Sequence, residues 1–184
     1  MQKTVLILLL VILVCGVGLV VISVPVTEDV TNLTFTLEDG IQGNLEIVTP
    51  RYLRLGDKAD LQLEITFIPG EVVGSGASVK VKSSLQSSSL EMNPSTAVTA
   101  IIPADGTGRF HWEITGYTEE VQRATMWCFH QGAAGPELIL ARDLSFEVKT
   151  IIDMRFRLFR WILGEVMLLC ILLIGATIYR TRRR

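Results

Sequence analysis

Two kinds of hydrophobic pattern divide this chain. At each end apolar residues run on almost without interruption. Thr4 to Ser23 carries no charge, and Trp161 to Tyr179 is broken only by Glu165. A helix rises ~1.5 Å per residue, so runs of about 20 residues match a ~30 Å hydrocarbon core. Each run therefore predicts a membrane-spanning helix. Between them the period changes to two: in Leu61-Gln62-Leu63-Glu64-Ile65-Thr66-Phe67 apolar residues hold every odd position, the signature of a strand with one wet face. Phe110 to Thr115 and Leu144 to Lys149 repeat it, and shorter strand candidates cover 33–37, 44–48, 78–82, 97–102, 122–130 and 138–141.

Turn residues separate these candidates. Glu38-Asp39-Gly40, Leu55-Gly56-Asp57, Ile68-Pro69-Gly70, the stretch from Ala104 to Gly108 and that from Gln131 to Pro136 supply glycine and proline at short-connection spacing. About eight or nine short strands with such turns predict an all-β domain, an antiparallel two-sheet sandwich. Its core should hold Leu61, Leu63, Ile65, Phe67, Phe110, Trp112, Ile114, Phe146 and Val148. The expected layout is a short cytoplasmic start (1–3), a first span (4–24), an extracytoplasmic sandwich (25–154), an interfacial collar with a second span (155–179) and a basic cytoplasmic tail (180–184).

Charge sharpens that layout. The formal net charge of −2 hides a split: residues 25–154 carry 9 Lys/Arg against 18 Asp/Glu, and the rest of the chain 8 against 1. An acidic domain argues against nucleic acid, which needs clustered cations. Lys3 and the arginines at 180, 182, 183 and 184 favour both termini in the cytoplasm. At the other end of the second run, Arg155, Arg157, Phe159, Arg160 and Trp161 interleave cations with aromatics, as interfacial anchors do. The first run exceeds the usual length of a signal-peptide apolar region and is followed by Ser23-Val24-Pro25-Val26, which lacks a small-residue cleavage site. A retained anchor in a two-pass plasma-membrane protein is expected.

Candidate chemistry is sparse. Cys15 and Cys170 lie in the apolar runs, leaving Cys128 alone in the domain, so no disulfide forms within it. His111, Cys128 and His130 would make a copper- or zinc-type trio only if two strands brought them together; the expected arrangement is a packed cysteine with surface histidines, and no metal or cofactor. There is no nucleophile elbow, phosphate-binding glycine loop or His-Glu-x-x-His, so no enzyme is expected. Glu165 is the one acid within either apolar run. Three fates are open to it: reaching back to the headgroups, pairing with a partner subunit, or serving an ion pathway.

Leu53-Arg54-Leu55-Gly56-Asp57 leading into an alternating strand, with Gly108-Arg109-Phe110-His111-Trp112-Glu113-Ile114 later, resembles the strand openings of immunoglobulin-like modules in bacterial exported proteins. The resemblance spans residues 45–150 and implies a fold, not an activity. The expected function is a non-catalytic, membrane-anchored sandwich that binds or scaffolds another envelope or membrane protein. Alternatives are an accessory subunit of a larger membrane complex and a ligand-sensing input module without its own output domain. The expected partners are the lipid bilayer and a protein.

Overall fold

The computed structural model of the chain describes residues 2–38, 40–68, 78–103, 106–132, 135–150 and 156–182. Helix α1 (Gln2–Ser23) is followed by β1 (Glu28–Thr36), β2 (Gln42–Pro50), β3 (Leu53–Arg54), β4 (Lys58–Ile68), β5 (Ser78–Gln86), β6 (Leu90–Asn93), β7 (Val98–Pro103), β8 (Thr107–Gly116), β9 (Val121–Gly132), β10 (Gly135–Lys149) and α2 (Phe156–Arg182). These elements form two compact units, one from the two ends of the chain and one spanning Val26–Lys149.

The strand unit holds two five-stranded sheets, ordered β1-β2-β4-β8-β6 and β3-β10-β9-β5-β7. Strand pairs are antiparallel except for the short contact of β3 with β10. Side chains alternate between the faces of a strand, and burial follows that alternation along β4, β5, β8 and β9. All nine core residues expected from the pattern are buried, and they share one apolar cluster with Val81, Met126 and Cys128 of the second sheet. Burying a Leu, Ile or Phe side chain is worth ~1.5–3 kcal/mol, so this shared cluster is what holds both sheets.

Bulk is unevenly distributed among the inward residues. Phe67, Phe110 and Trp112 of the first sheet and Phe146 of β10 are large, whereas β5 and β9 contribute the slimmer Val81, Ser83, Ala124, Met126 and Cys128. Interiors pack at crystal density, so large side chains in one cluster need slimmer neighbours. One glycine fits the same logic. Phe35, Gly43 and Phe67 are cross-strand partners on β1, β2 and β4, and the two rings meet edge to face at 5.7 Å. A Cβ on Gly43 would come within 2.4 Å of the Phe35 ring and 2.8 Å of the Thr66 carbonyl oxygen.

Two strand expectations are corrected. The segments 138–141 and 144–149 belong to one strand, β10, because a bulge between Leu138 and Leu140 shifts the register by a residue. The extra residue moves the inward phase from Glu137 before the bulge to Leu140 and Leu144 after it, breaking the alternation without ending the strand. Strand β6, which pairs with β8, was not expected at all.

Helices α1 and α2 pack on each other. Gly18, near the end of α1, faces Leu163, near the start of α2; a Cβ there would lie 3.2 Å from Leu163 Cδ1. The less exposed residues run the full length of both helices, so the pair is antiparallel. In α1 they include Val5, Leu8, Ile12, Cys15, Leu19 and Ile22; in α2, Phe156, Arg160, Leu163, Met167, Cys170, Ile174 and Thr177. Both rows advance by alternating steps of three and four, the spacing of a coiled-coil seam. Away from the seam, apolar side chains such as Leu6, Leu10, Leu13, Leu168 and Leu172 stand exposed. Both helices are long and apolar enough to cross a membrane. The expected cytoplasmic tail is partly helical, since α2 continues through Arg182.

Candidate functional site

Strand β9 sets the character of the second sheet's outer face. Its even positions, Gln122, Ala124, Met126, Cys128 and His130, turn inward and are buried. Its odd positions then place Trp127 and Phe129 on the outer face, half-buried, with rings parallel within 6° and centroids 6.2 Å apart. The even set is the slimmer one, and Ala124, Met126 and Cys128 share the apolar cluster with Phe67, Phe110, Trp112 and Phe146. Ser83 reinforces this phase by donating its hydroxyl to the Trp127 carbonyl at 3.0 Å.

The aromatic pair has a defined surround. Across the ladder Phe129 lies between Lys82 of β5 and Leu138 of β10, and Trp127 between Ser84 and Ala141. Leu138 is half exposed, and Ile101, opposite Lys80 on β7, is 70% exposed. Among the described residues no acid pairs with Lys80 or Lys82. An open hollow of about 480 Å³ beside Phe129 is bordered by Lys82, Ser84, Gln131 and Pro136. Solvent-facing aromatics ringed by polar groups are the composition of interface anchors.

The outer face of the first sheet has a different chemistry. Three acids are matched to bases on neighbouring strands: Glu64 accepts from Arg109 at 2.7 Å, Glu113 from Lys58 at 2.5 Å, and Asp60 lies 3.2 Å from His111 Nε2, while exposed Glu46 stands opposite Glu64. The hydrogen bond from the Lys58 ammonium to Glu113 raises the lysine pKa above its ordinary value. Asn32, Thr34, Asn44 and Glu46 border a hollow of about 430 Å³ there, without an aromatic ring in its lining.

The three ligand-type residues do not converge. His111 is exposed on the first sheet, whereas Cys128 and His130 point into the core from the second. Burial of His130 corrects the expectation of two surface histidines; it occupies an inward position next to Met126 and Cys128, with its Nδ1 3.7 Å from a Glu137 carboxylate oxygen. The other oxygen of Glu137 accepts the Glu38 backbone N–H at 2.7 Å. Among the described residues no group of three or more His, Cys, Asp or Glu could hold a metal ion. Burial pushes the Cys128 thiol from 9.0 up to about 12, against a smaller lowering by its hydrogen bond with Ser83. A thiol so buried stays protonated and inert at neutral pH.

On α2, Phe159 and Arg160 are half-buried, while Arg157, Trp161 and Glu165 are exposed and spaced four apart on one stripe. Arg155 lies outside the described residues. Glu165 sits two residues from both Leu163 and Met167, hence on the side of α2 turned away from α1. A charge at the centre of a bilayer costs ~2.5–3.5 kcal/mol, less near the interface. Sequence reasoning singled out Glu165 but missed the Trp127 and Phe129 face; the signal was the apolar character of both phases of β9.

No family model matches the chain, and no curated protein matches it. Among solved structures it is similar to a conjugative transposon lipoprotein from Bacteroides eggerthii, with 12% identity over 57% of this chain and 94% of that one and a TM-score of 0.33. It is also similar to a CARDB domain from Pyrococcus furiosus in complex with di-metal ions, with 13% identity over 71% and 96% and a TM-score of 0.35. A lipoprotein from Bacteroides thetaiotaomicron gives 13% identity over 71% and 88%, with a TM-score of 0.27. These likenesses single out no family.

Proposed function

We propose that this chain is a two-pass membrane protein whose extracytoplasmic, immunoglobulin-like sandwich binds another envelope or membrane protein without catalysing a reaction. The observation that carries this reading is the outward Trp127 and Phe129 pair, flanked by Lys80, Lys82 and exposed Leu138 and Ile101. Aromatic side chains in such a setting contribute most of their binding energy when a partner removes their remaining exposure to water. Lys80 and Lys82, which meet no acid among the described residues, favour a partner with an acidic rim. In this reading α1 and α2 hold the domain to the bilayer, Arg155, Arg157, Phe159, Arg160 and Trp161 mark the outer interface, and both termini lie in the cytoplasm.

Two measurements test the reading. The full chain, extracted from native membranes in mild detergent, should co-purify with a partner at a yield that falls roughly tenfold in Trp127→Ala or Phe129→Ala. Asn44→Ala, on the first sheet, should leave it unchanged. Equal yields for all three variants would remove the aromatic face from the function. Protease added to sealed cells should cut within residues 25–154; protection there, with cleavage in inverted vesicles, would reverse the orientation.

A further inference from the structure

We infer that the stripe of α2 centred on Glu165 docks a transmembrane helix of a different protein, one that presents a lysine or arginine about one turn below the outer membrane interface. The inference rests on the proposed membrane-spanning reading and names the partner chemistry of the helix pair.

The argument begins with what the pair already satisfies. The seam of α2 is occupied by α1, and Glu165 lies on the opposite side, exposed. No described residue pairs with its carboxylate. Nor can α1 supply a counter-charge within the hydrocarbon, because nothing from Thr4 to Ser23 is charged. On α2 itself, Arg160 belongs to the α1-facing row. Arg157 shares the stripe but is eight residues away, about 12 Å along the axis, beyond ion-pair reach.

The rest of the stripe suits a helix rather than lipid alone. Below Glu165 it continues through exposed Leu168 and Leu172 to Gly175 and Ala176, and small residues let a neighbouring backbone approach closely. Trp161 stands one turn above Glu165, which places the carboxylate just inside the level where tryptophan marks the interface.

A second copy of this chain does not fit. In a symmetric pair standing in one membrane, equal residues lie at equal depth, so two copies would bring carboxylate to carboxylate and leave each Arg157 a dozen Å higher, by the same ~1.5 Å rise. That leaves a helix of another protein as the source of complementary charge, with return of the carboxylate to the headgroups as the outcome that would leave no protein adduct.

The test uses the full chain in native membranes, with a photoreactive amino acid placed at Leu172 on the stripe or at Ile174 on the seam, and mass spectrometry of the adducts. The expected result is an adduct from position 172, with a membrane protein whose crosslinked helix carries Lys or Arg near its outer end. Its yield should fall about tenfold in Glu165→Leu, survive in Glu165→Asp, and return when Glu165→Lys is combined with the partner's cation changed to Glu. The probe at 174 should report α1 in every variant, which shows that the helix pair remains folded. An adduct with a second copy, an adduct indifferent to Glu165→Leu, a partner helix without a cation, or no protein adduct at all would each overturn the inference. If alkaline carbonate strips the whole chain from the membrane, the membrane-spanning reading itself fails. A chain that stays embedded yet shows no charge-dependent adduct overturns only the docking of a cationic helix.

Discussion

The two sheets share one core but turn unlike faces outward. On the first, acids and bases are paired from strand to strand, Glu64 with Arg109, Glu113 with Lys58 and Asp60 with His111. On the second, Lys80 and Lys82 meet no described acid, and Trp127 and Phe129 occupy positions where polar residues are usual. Three acids of the first face thus have a base beside them. The second retains apolar area and, among the described residues, lysines without an acid beside them; in the proposed function that difference separates an inert face from a recognition surface.

If a single core serves both faces, breaking it anywhere should abolish the contrast between them. Trp112→Ala, which empties the largest fully buried side chain, should cost about 3–5 kcal/mol and melt both sheets in one transition, followed by chemical denaturation of the full chain in detergent. Two separated transitions would mean independent sheets. Gly43→Val forces a side chain against the Phe35 ring and the Thr66 carbonyl, so a loss of about 1–3 kcal/mol is expected by the same measurement, with the outer aromatic pair still native-like in near-ultraviolet circular dichroism.

Alkaline pH probes the buried thiol of the second sheet, and Cys128→Ala separates its part from that of Lys58 on the first. Above pH 9.0 the unfolded chain releases the Cys128 proton, while the folded chain holds it until about pH 12. The unfolded state then binds fewer protons, and stability must decline across that window. The contribution is intact below pH 9.0, and Cys128→Ala should make the decline shallower. An identical slope in the variant would show that the thiol is not shielded in the folded domain. The smallest effect belongs to the first face: Arg109→Ala removes an exposed cross-strand pair and should change stability by only ~0.2–1 kcal/mol, with partner yield unaltered.

Strands with a clear difference between their two phases were legible in the sequence. Leu61, Leu63, Ile65 and Phe67 could face only one way, as could Phe110, Trp112 and Ile114. β9 defeated that logic because Met126 and Cys128 compete with Trp127 and Phe129, and the choice depends on the volume left by a sheet distant in sequence. β10 was divided by a one-residue bulge whose run, Leu138-Ile139-Leu140, reads as continuous rather than alternating. The α1 and α2 seam was invisible for a related reason. Helices apolar on every side carry no periodic contrast, although Glu165, as an isolated acid in such a run, was conspicuous from the start.

The three-and-four spacing of that seam also has a mechanical consequence. Interleaved side chains on such a seam oppose gradual slippage: packed helices shift by about 1–2 Å or, more drastically, jump by a full turn, about 5.4 Å. The pair should therefore behave as a stiff strut: a push on one tip is delivered to the far tip nearly undiminished, up to the force at which the register skips.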